Sequence, residues 1–279
     1  MRLGIFSKTF AGTDPATVLA AVKEAGFECA QYNMACSGLP SMPDNISKDI
    51  ARDVASAAAN ADVAIVAVSG TYNMIHPDIE TRLAGHQRLE VLAARCADLS
   101  SPLITLCTGT RDPVDQWKEH PDNNSPEVWR DLLEAMEVAI DIADRYDIDL
   151  GIEPELANVV NSAAKARQLI DEMKSSRLKI VFDPANLFEI ASAGAQRDIV
   201  SSAIDLLADR IVMAHAKDRR PDGGFTTAGK GVLDYGHYLD RLKGIGFSGS
   251  LVTHGLSAGE APGVAAFLKQ QLSSGGAKS

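Results

Sequence analysis

The chain has 279 residues, and its 37 acidic side chains outnumber its 27 lysines and arginines, for a net charge of −10. The hydrophobic fraction of 46% and the charged fraction of 23% are typical of a globular protein rather than a disordered or fibrous one. The acidic balance argues against a duplex-DNA binder, since phosphate contacts require clustered lysine and arginine side chains. The longest apolar stretch, around residues 63–68, is far shorter than the roughly 20 residues that a membrane-spanning helix needs.

The amino terminus and the cysteines predict a reduced, cytoplasmic protein. Lys8 interrupts the first apolar residues before the hydrophobic segment of a signal peptide can form. The four cysteines show neither CxxC spacing nor the density of a secreted disulfide scaffold. Three of them stand in apolar surroundings and are interpreted as small buried hydrophobic residues, namely Cys29, Cys96 and Cys107.

Short apolar runs alternate with amphipathic stretches along the chain. Runs rich in valine, isoleucine and leucine are typical of strands buried on both faces of a parallel sheet. Ser125 and Pro126 have the residue types of a helix cap and a first helical position, and the apolar residues after them recur at helical spacing. Asp234 can cap a later helix that ends at Gly244. The eight predicted strands lie at residues 3–6, 28–32, 63–68, 103–107, 150–152, 178–182, 210–214 and 250–253.

Eight strand–helix units in one chain of this length predict an α/β fold, a single (β/α)₈ TIM barrel over residues 1–272. No linker divides the chain, and we expect only residues 273–279 to form a disordered tail. A doubly wound open sheet is the alternative, but it would usually carry a glycine-rich phosphate loop after the first strand, where this chain has Ser-Lys-Thr-Phe. The G-x-G-x-x-G pattern at 244–249 follows a helix and precedes a strand, the reverse of the order that a dinucleotide site needs.

Catalytic side chains of a barrel lie where strands end and the following loops begin. At the ends of the last four predicted strands the sequence places two carboxylates and two histidines: Glu153, Asp183, His215 and His254. Their separations of 30, 32 and 39 residues match one strand–helix unit each. Two carboxylates and two imidazoles at one mouth suit a divalent cation such as Mn²⁺, Mg²⁺, Co²⁺ or Zn²⁺. Each residue alone also has a structural interpretation, as when Asp183 forms an Asx turn before a proline.

Other loops at the same mouth supply candidate substrate contacts. His76 and Arg111 follow the third and fourth strands, and their side chains can donate directional hydrogen bonds to a polyhydroxylated or phosphorylated substrate. Lys217 follows His215 by two residues, so strand alternation points both side chains inward. There the lysine can polarise a carbonyl, bind phosphate or pair with a loop carboxylate. The long polar loop at 112–125 is interpreted either as a lid or as a surface loop whose tryptophan packs on its neighbour.

Four segments of the chain read Glu-Pro-Glu at 153–155, Asp-Pro-Ala-Asn-Leu at 183–187, His-Ala-Lys-Asp at 215–218 and Gly-Lys-Gly-Val-Leu-Asp-Tyr at 229–235. These segments resemble the xylose-isomerase-like barrel superfamily, which includes sugar phosphate isomerases and epimerases, ketose 3-epimerases, inosose dehydratases and endonuclease IV. The resemblance runs from the first strand to the final helix, and it implies that Glu153, Asp183 and His215 bind the metal. It places Asn186 where relatives keep a histidine that supports the metal site or contacts substrate, and Glu155 is a further candidate substrate contact.

His254 is a departure from the pattern of this superfamily. Relatives commonly end the eighth strand with a glutamate that is both a metal ligand and one half of an acid–base pair. A histidine can bind a divalent ion, with a preference shifted toward softer ions, but it cannot reproduce a proton relay between two glutamates. The resemblance therefore implies metal-dependent sugar chemistry, while the simple ketose 3-epimerase reaction does not follow from it.

We expect a metal-dependent isomerase or epimerase of a small sugar or sugar phosphate, with proton transfer through a metal-stabilised enediolate. Glu153 is the predicted general base, and His254 or Lys217 returns the proton. The alternative is a metal-dependent dehydratase or lyase that acts on a keto-sugar or cyclitol. An endonuclease IV-like phosphodiesterase and a non-catalytic sugar-binding barrel fit the sequence less well, and no nucleic-acid or membrane partner is expected. Relatives are often dimers or tetramers, so the resemblance also allows a homo-oligomer.

Overall fold

The computed structural model describes residues 1–274. Eight parallel strands close into a barrel, in which each strand pairs with the next along the chain and the last pairs with the first. This closed barrel confirms the predicted (β/α)₈ fold. Its strands are β1 (Arg2–Phe6), β2 (Cys29–Tyr32), β3 (Ala64–Ser69), β4 (Leu103–Leu106), β5 (Asp149–Ile152), β6 (Leu178–Phe182), β7 (Ile211–Ala216) and β8 (Ser250–Thr253).

Eight α-helices in the described part of the chain surround the barrel. The first seven each begin after a serine or aspartate whose side chain accepts a hydrogen bond from a backbone N–H of the first turn, Ser125 and Asp234 among them. The helices are α1 (Pro15–Glu24), α2 (Lys48–Ala61), α3 (Ile79–Cys96), α4 (Pro126–Tyr146), α5 (Ala163–Met173), α6 (Ala193–Leu207), α7 (Tyr235–Gly244) and α8 (Ala261–Ser274).

Some element ends differ from the predicted ones. Strand β7 runs two residues further than predicted because its last residues stay paired with β8, so His215 lies inside the strand. Helix α7 includes Gly244, and the left-handed turn falls at Gly246, whose φ is 74°. Helix α8 contains residues 273 and 274, which the sequence assigned to a tail, and the rest of that predicted tail lies outside the described residues.

An apolar layer fills the barrel beneath the carboxyl ends of the strands. It consists of Ala67, Leu103, Val181, Met213 and Val252, and it packs separately from the larger core between the strands and helices. Alternate residues of a strand share a face. The residues two positions after the last three members of the layer therefore lie directly above it, and these residues are Asp183, His215 and His254. The barrel thus gives the candidate site a dry, packed floor.

A short antiparallel hairpin interrupts the connection from β7 to α7, with Asp218–Arg219 paired to Phe225–Thr226. The Asp218 side chain is fully buried, and its carboxylate accepts hydrogen bonds from the backbone N–H groups of Gly229, Gly231 and Leu233. This one carboxylate therefore orders the glycine-rich stretch that follows the hairpin, and the contact ties the His-Ala-Lys-Asp segment to the Gly-Lys-Gly segment.

The remaining sequence features have structural roles. The four cysteines are buried free thiols, including the three interpreted as buried hydrophobic residues. The G-x-G-x-x-G pattern forms the turn between α7 and β8, as its order predicts. Within residues 1–274, no helix is both long enough and apolar enough to cross a membrane.

Candidate metal centre

Four side chains from the carboxyl ends of β5, β6, β7 and β8 meet at one point. They are Glu153, Asp183, His215 and His254, and one potential ligand atom of each lies within 4.8 Å of the others. The Asp183 and His215 side chains are buried, and the other two are partly buried. The spacing of the strands thus brings together the two carboxylates and two histidines that the sequence singled out.

The contacts within the cluster run as a chain from Glu153 to His254. Nδ1 of His215 lies 3.2 Å from Oε1 of Glu153 and 3.8 Å from Oδ2 of Asp183. Nε2 of His254 lies 3.2 Å from the same Oδ2 atom, and the two imidazole rings are 4.4 Å apart between centroids. Both imidazoles therefore direct a ring nitrogen toward carboxylate oxygens at the centre.

A glutamine on β2 orients His215. Nε2 of His215 donates to Oε1 of Gln31, at 3.1 Å, and the Gln31 amide donates to Oγ1 of Thr105, at 2.8 Å. Because the amide oxygen can only accept, it holds the proton of the neutral imidazole on Nε2, so that the lone pair of that form lies on Nδ1, which faces the cluster. Gln31 was not predicted as a site residue. The available signal was a polar residue inside a buried strand.

Asp183 both stabilises a turn of the backbone and belongs to the cluster. Its Oδ1 atom accepts from the backbone N–H of Ala185, at 2.9 Å, which is the predicted Asx turn, while Oδ2 faces the histidines. Asn186, one residue further, donates to Oε1 of Glu153 at 2.8 Å and accepts from Nζ of Lys217 at 2.8 Å. The turn therefore positions two side chains against the cluster.

Lys217 adds a buried positive charge beside the carboxylates. Its Nζ atom lies 3.3 Å from Oδ2 of Asp183 and 3.7 Å from the ring centroid of Phe225 in the hairpin. Lys217 and His215 occupy alternate positions from β7 onward, and both line the same cavity. The lysine thus reaches the cavity as strand alternation predicts.

The charges of the cluster favour the protonation states that bind a metal. Burial raises the pKa of Glu153, but the neighbouring His215 and His254 together bring that pKa below its ordinary value. Burial also opposes ionisation of Asp183, but Lys217 and His254 hold its pKa well below the usual range. Burial lowers the pKa of His254, and the neighbouring His215 and Lys217 add to this effect. Near neutral pH the carboxylates are therefore ionised and His254 is neutral.

The residues present fit a divalent ion. Carboxylate oxygens and imidazole nitrogens are ligands of zinc and the related first-row metals. Ligand atoms at about 2.0–2.2 Å from one ion lie no more than about 4.4 Å apart. The candidate ligand atoms lie up to 4.8 Å apart, which exceeds this limit by a few tenths of an ångström. Small side-chain rotations can close that difference. The cluster is consistent with a metal site, and the ligand set does not specify which ion.

A cavity of about 460 Å³ opens above the cluster. Gln116 and Trp117, in the long loop after β4, line it, so the loop lies over the site as the lid interpretation requires. Glu155 also lines the cavity, and burial raises its pKa to about 7, although Lys217 opposes the rise. A second cavity of about 520 Å³ lies at the opposite, amino-terminal end of the barrel among mostly apolar residues, away from the face where barrels carry out chemistry.

Two of the predicted substrate contacts lie elsewhere. Nε2 of His76 contacts the carbonyl oxygen of Pro113 at 3.1 Å, and its Nδ1 accepts from the backbone N–H of Asp78. Arg111 forms an ion pair with Asp131 on α4. Neither His76 nor Arg111 belongs to the cavity lining. Both side chains connect loops of the upper face, whereas Asn186 contacts the cluster and Glu155 lines the cavity.

The fold and the cluster define a class, the (β/α)₈ barrels with a candidate divalent-metal site at the carboxyl ends of the strands. The chain belongs to the xylose isomerase-like TIM barrel family, whose sequence profile matches residues 19–270. No curated protein matches the sequence.

Solved structures share the fold at low sequence identity. The 3-keto-D-glucoside 4-epimerase of E. coli is 17% identical with a TM-score of 0.77, over 97% of this chain and 99% of that one. A D-psicose 3-epimerase determined in the presence of D-fructose is 16% identical with a TM-score of 0.75, over 98% and 99%. The IOLI protein with a bound zinc atom is 16% identical with a TM-score of 0.73, over 98% and 99%. At these identities the similarity shows the fold.

Proposed function

We propose that the protein is a metal-dependent isomerase or epimerase that removes a proton from a carbon of a small sugar and returns it. The observation that carries the proposal is the convergence of two carboxylates and two histidines at the floor of a cavity that also holds a buried lysine. Structural neighbours named as sugar epimerases support it, as does the neighbour that binds zinc.

The four side chains of the cluster would hold the ion: Glu153, Asp183, His215 and His254. When bound, a divalent ion supplies Lewis-acid stabilisation of negative charge on substrate oxygens. Glu153 is ionised, lines the cavity and is held by Asn186, so it is the proposed base that takes the proton from carbon.

Lys217 is the proposed partner of this base. Its ammonium group is buried against Asp183 and Asn186, and it lines the cavity on the same side as His215. It can donate a proton or a hydrogen bond directly to a substrate oxygen, without transfer of the proton through bulk water. His254 is the alternative donor, since it reaches the cavity from β8. We propose Glu155 as a substrate contact and Asn186 as a residue that positions Glu153 and Lys217.

Turnover in D₂O tests the proposed chemistry. With Mn²⁺-loaded enzyme and a panel of ketohexoses and keto-glucosides, we expect deuterium at the carbon next to the substrate carbonyl. Glu153→Gln is expected to lose this incorporation, and Glu24→Gln, an exposed change on α1, serves as the control and keeps it. Turnover without deuterium in the product would point to hydride transfer and contradict the proposal.

One observation favours a second candidate reaction, loss of water from a keto-sugar or cyclitol. The cluster has His254 on β8 where a second catalytic carboxylate would complete a relay, and an elimination needs one base and one acid. Glu153 and Lys217 can fill these two roles. Mass spectrometry of the product separates the reactions, because isomerisation leaves the mass unchanged and dehydration lowers it by one water.

A further inference from the structure

Exposed apolar side chains occur in three of the loops that follow barrel strands, on the face that carries the metal-centre cavity. Val114 and Trp117 lie in the loop after β4, Ile190 in the loop after β6, and Phe225 in the hairpin after β7, with exposed fractions of 92%, 50%, 72% and 43%. Single exposed apolar residues are ordinary on a protein surface, whereas a group around one opening marks a binding surface. Of these residues Trp117 and Phe225 line the cavity, and we call these two the apolar rim.

The apolar rim is continuous with the cavity. Trp117 and Phe225 line the same space as Glu153 and His215, and Phe6 adds a third aromatic side chain to its wall. Tryptophan offers a large flat surface at a small cost in side-chain entropy, and it suits the faces of sugar and aromatic rings. A ligand held at the metal cluster would therefore extend past aromatic side chains on its way to solvent.

The cavity has the volume of a site for a drug-sized ligand. Its volume of about 460 Å³ falls within the range of roughly 300–1,000 Å³ that drug-sized ligands occupy. The polar residues lie deep, with His215 only 2% exposed, and the aromatic residues lie near the opening. A single sugar ring held at the cluster leaves the aromatic part of the cavity for a second, less polar group.

Most cations near the cavity are already engaged by the protein. Lys217 contacts Asp183 and Asn186, and Arg219 donates to the backbone carbonyls of Ala185 and Gly223. Arg111, which the sequence offered as a phosphate contact, is paired with Asp131. The other lysine in the lining, Lys8, is exposed at the opening. Phosphate recognition favours guanidinium forks or clustered N–H donors, and the exposed Lys8, a single ammonium group, supplies neither.

From these contacts we propose that the substrate is an uncharged sugar that carries an aromatic group, a glycoside rather than a sugar phosphate, with the sugar at the metal cluster and the aromatic group against Trp117 and Phe225. The proposal deepens the proposed function and rests on it. A glycosidic bond removes the carbonyl from the anomeric carbon, so proton transfer next to a carbonyl then requires a ring ketone. The substrate class is accordingly the keto-glycosides with an aromatic aglycone.

Binding to the zinc-loaded protein tests the proposal without requiring turnover. The chain has two tryptophans, so Trp129→Phe leaves Trp117 as the sole tryptophan reporter of the cavity. Titrations with phenyl β-D-glucoside, methyl β-D-glucoside and glucose 6-phosphate are read by tryptophan fluorescence in this variant and by calorimetry in the others. We expect the phenyl glucoside to bind about tenfold more tightly than the methyl glucoside, and glucose 6-phosphate to bind no more tightly than the methyl glucoside.

Trp117→Ala is expected to remove the preference for the phenyl glucoside, and Trp117→Phe to retain part of it. Val138→Ala, at an exposed apolar residue of α4 away from the mouth, is the matched control and keeps the preference in full. Equal affinity for the two glucosides, no measurable binding of the phenyl glucoside, or tighter binding of glucose 6-phosphate would overturn the proposal.

Two further outcomes distinguish the glycoside proposal from association between two copies of the chain and from the proposed reaction. If Trp117 emission in the ligand-free protein changes with protein concentration, a second copy of the chain covers the apolar rim, and the glycoside proposal fails. If the phenyl preference is found while no deuterium enters any product, the proposed reaction fails and the assignment of an aromatic binding surface stands.

Discussion

Side chains of the candidate centre are held by contacts with residues outside it. His215 is oriented by Gln31, Asp183 by the turn amide of Ala185, and Glu153 by Asn186. Such supporting contacts fix the direction of a ligand's lone pair. They also limit rotation of the ligand side chain, which would otherwise weaken metal binding. The centre therefore depends on residues from β2 and the loop after β6 as well as on its own four side chains.

Replacement of His254 tests whether four side chains hold the ion. His254→Ala is expected to lower Zn²⁺ affinity by at least about tenfold, because a lost ligand leaves three protein donors. His254→Glu is expected to restore most of the affinity by returning an oxygen ligand at the same strand end. Calorimetric titration of each metal-free variant measures both changes.

His237 on α7 is hydrogen-bonded to Ser201, and its replacement is the control for His254. His237→Ala is expected to leave Zn²⁺ affinity unchanged. If His254→Ala binds Zn²⁺ as tightly as the unmodified protein, His254 is not a ligand and a three-residue site replaces the proposed one.

Gln31 is predicted to act through His215. Gln31→Leu removes the acceptor of the Nε2 proton, so the imidazole loses its preferred tautomer, and Zn²⁺ affinity is expected to fall by about 10–100-fold. Gln31→Glu keeps an acceptor and is expected to retain most of the affinity. Gln270→Leu, an exposed change on α8, is the control. Unchanged affinity in Gln31→Leu, with a circular dichroism spectrum like that of the parent, would show that the contact does not support the site.

At this scale the sequence predicts the cluster better than its surroundings. Strand ends in a parallel barrel share one edge, so the spacing of Glu153, Asp183, His215 and His254 was enough to bring them together. Nothing in strand periodicity tells which way a loop side chain turns, and His76 and Arg111 turn toward other loops. The role of Gln31 could not be predicted from its own strand, because it depends on a contact with His215, which lies 184 positions away in the sequence.

Among the packing contacts between elements, one brings helix α3 very close to the loop after β3. Gly85 in α3 faces the ring of Tyr72 in the loop after β3, and a Cβ atom at Gly85 would meet that ring at 2.2 Å. The Tyr72 hydroxyl is in turn hydrogen-bonded to Nδ1 of His86, at 2.9 Å. The helix therefore needs a glycine here for close approach, since Tyr72 is buried and has no free space to move.

Gly85→Ala is expected to destabilise the protein by about 1–3 kcal/mol, because overpacking outweighs the gain in helix propensity. Gly194→Ala in α6 is the matched change, since nothing lies within 4 Å of the added atom, and it is expected to be neutral or stabilising by up to about 1 kcal/mol. Urea unfolding of both variants measures the free energies. Equal stability of the two variants would contradict the packing argument.

The regular elements were the most predictable part of the molecule. Apolar runs and capping residues mark the strands and helices locally, so Ser125 and Asp234 were recognised as caps from neighbouring residues alone. The hairpin Asp218–Arg219 with Phe225–Thr226 was not predicted, because two-residue strands carry no periodicity. Its order comes instead from the buried Asp218 carboxylate, which collects amides from a later segment.

At the scale of the whole molecule, the barrel separates stability from chemistry. The apolar layer fills the barrel directly below the cluster, and the charged side chains of the cluster lie above it. Closure of the sheet leaves no barrel edge strand exposed, so each ligand strand is hydrogen-bonded on both sides. The cluster is therefore carried by elements that cannot shift independently, which is the condition for a preformed metal site.

The metal content of the protein tests the proposed metal centre directly. Protein purified without a histidine tag is stripped with a chelator, dialysed against Zn²⁺ or Mn²⁺, and its bound metal is measured by mass spectrometry. We predict one ion per chain in the unmodified protein and only background metal in Asp183→Asn/His215→Gln, with both proteins folded by circular dichroism. A folded double variant that retains one ion per chain, or an unmodified protein that binds no ion above background, would contradict a metal centre at the carboxyl ends of β5–β8.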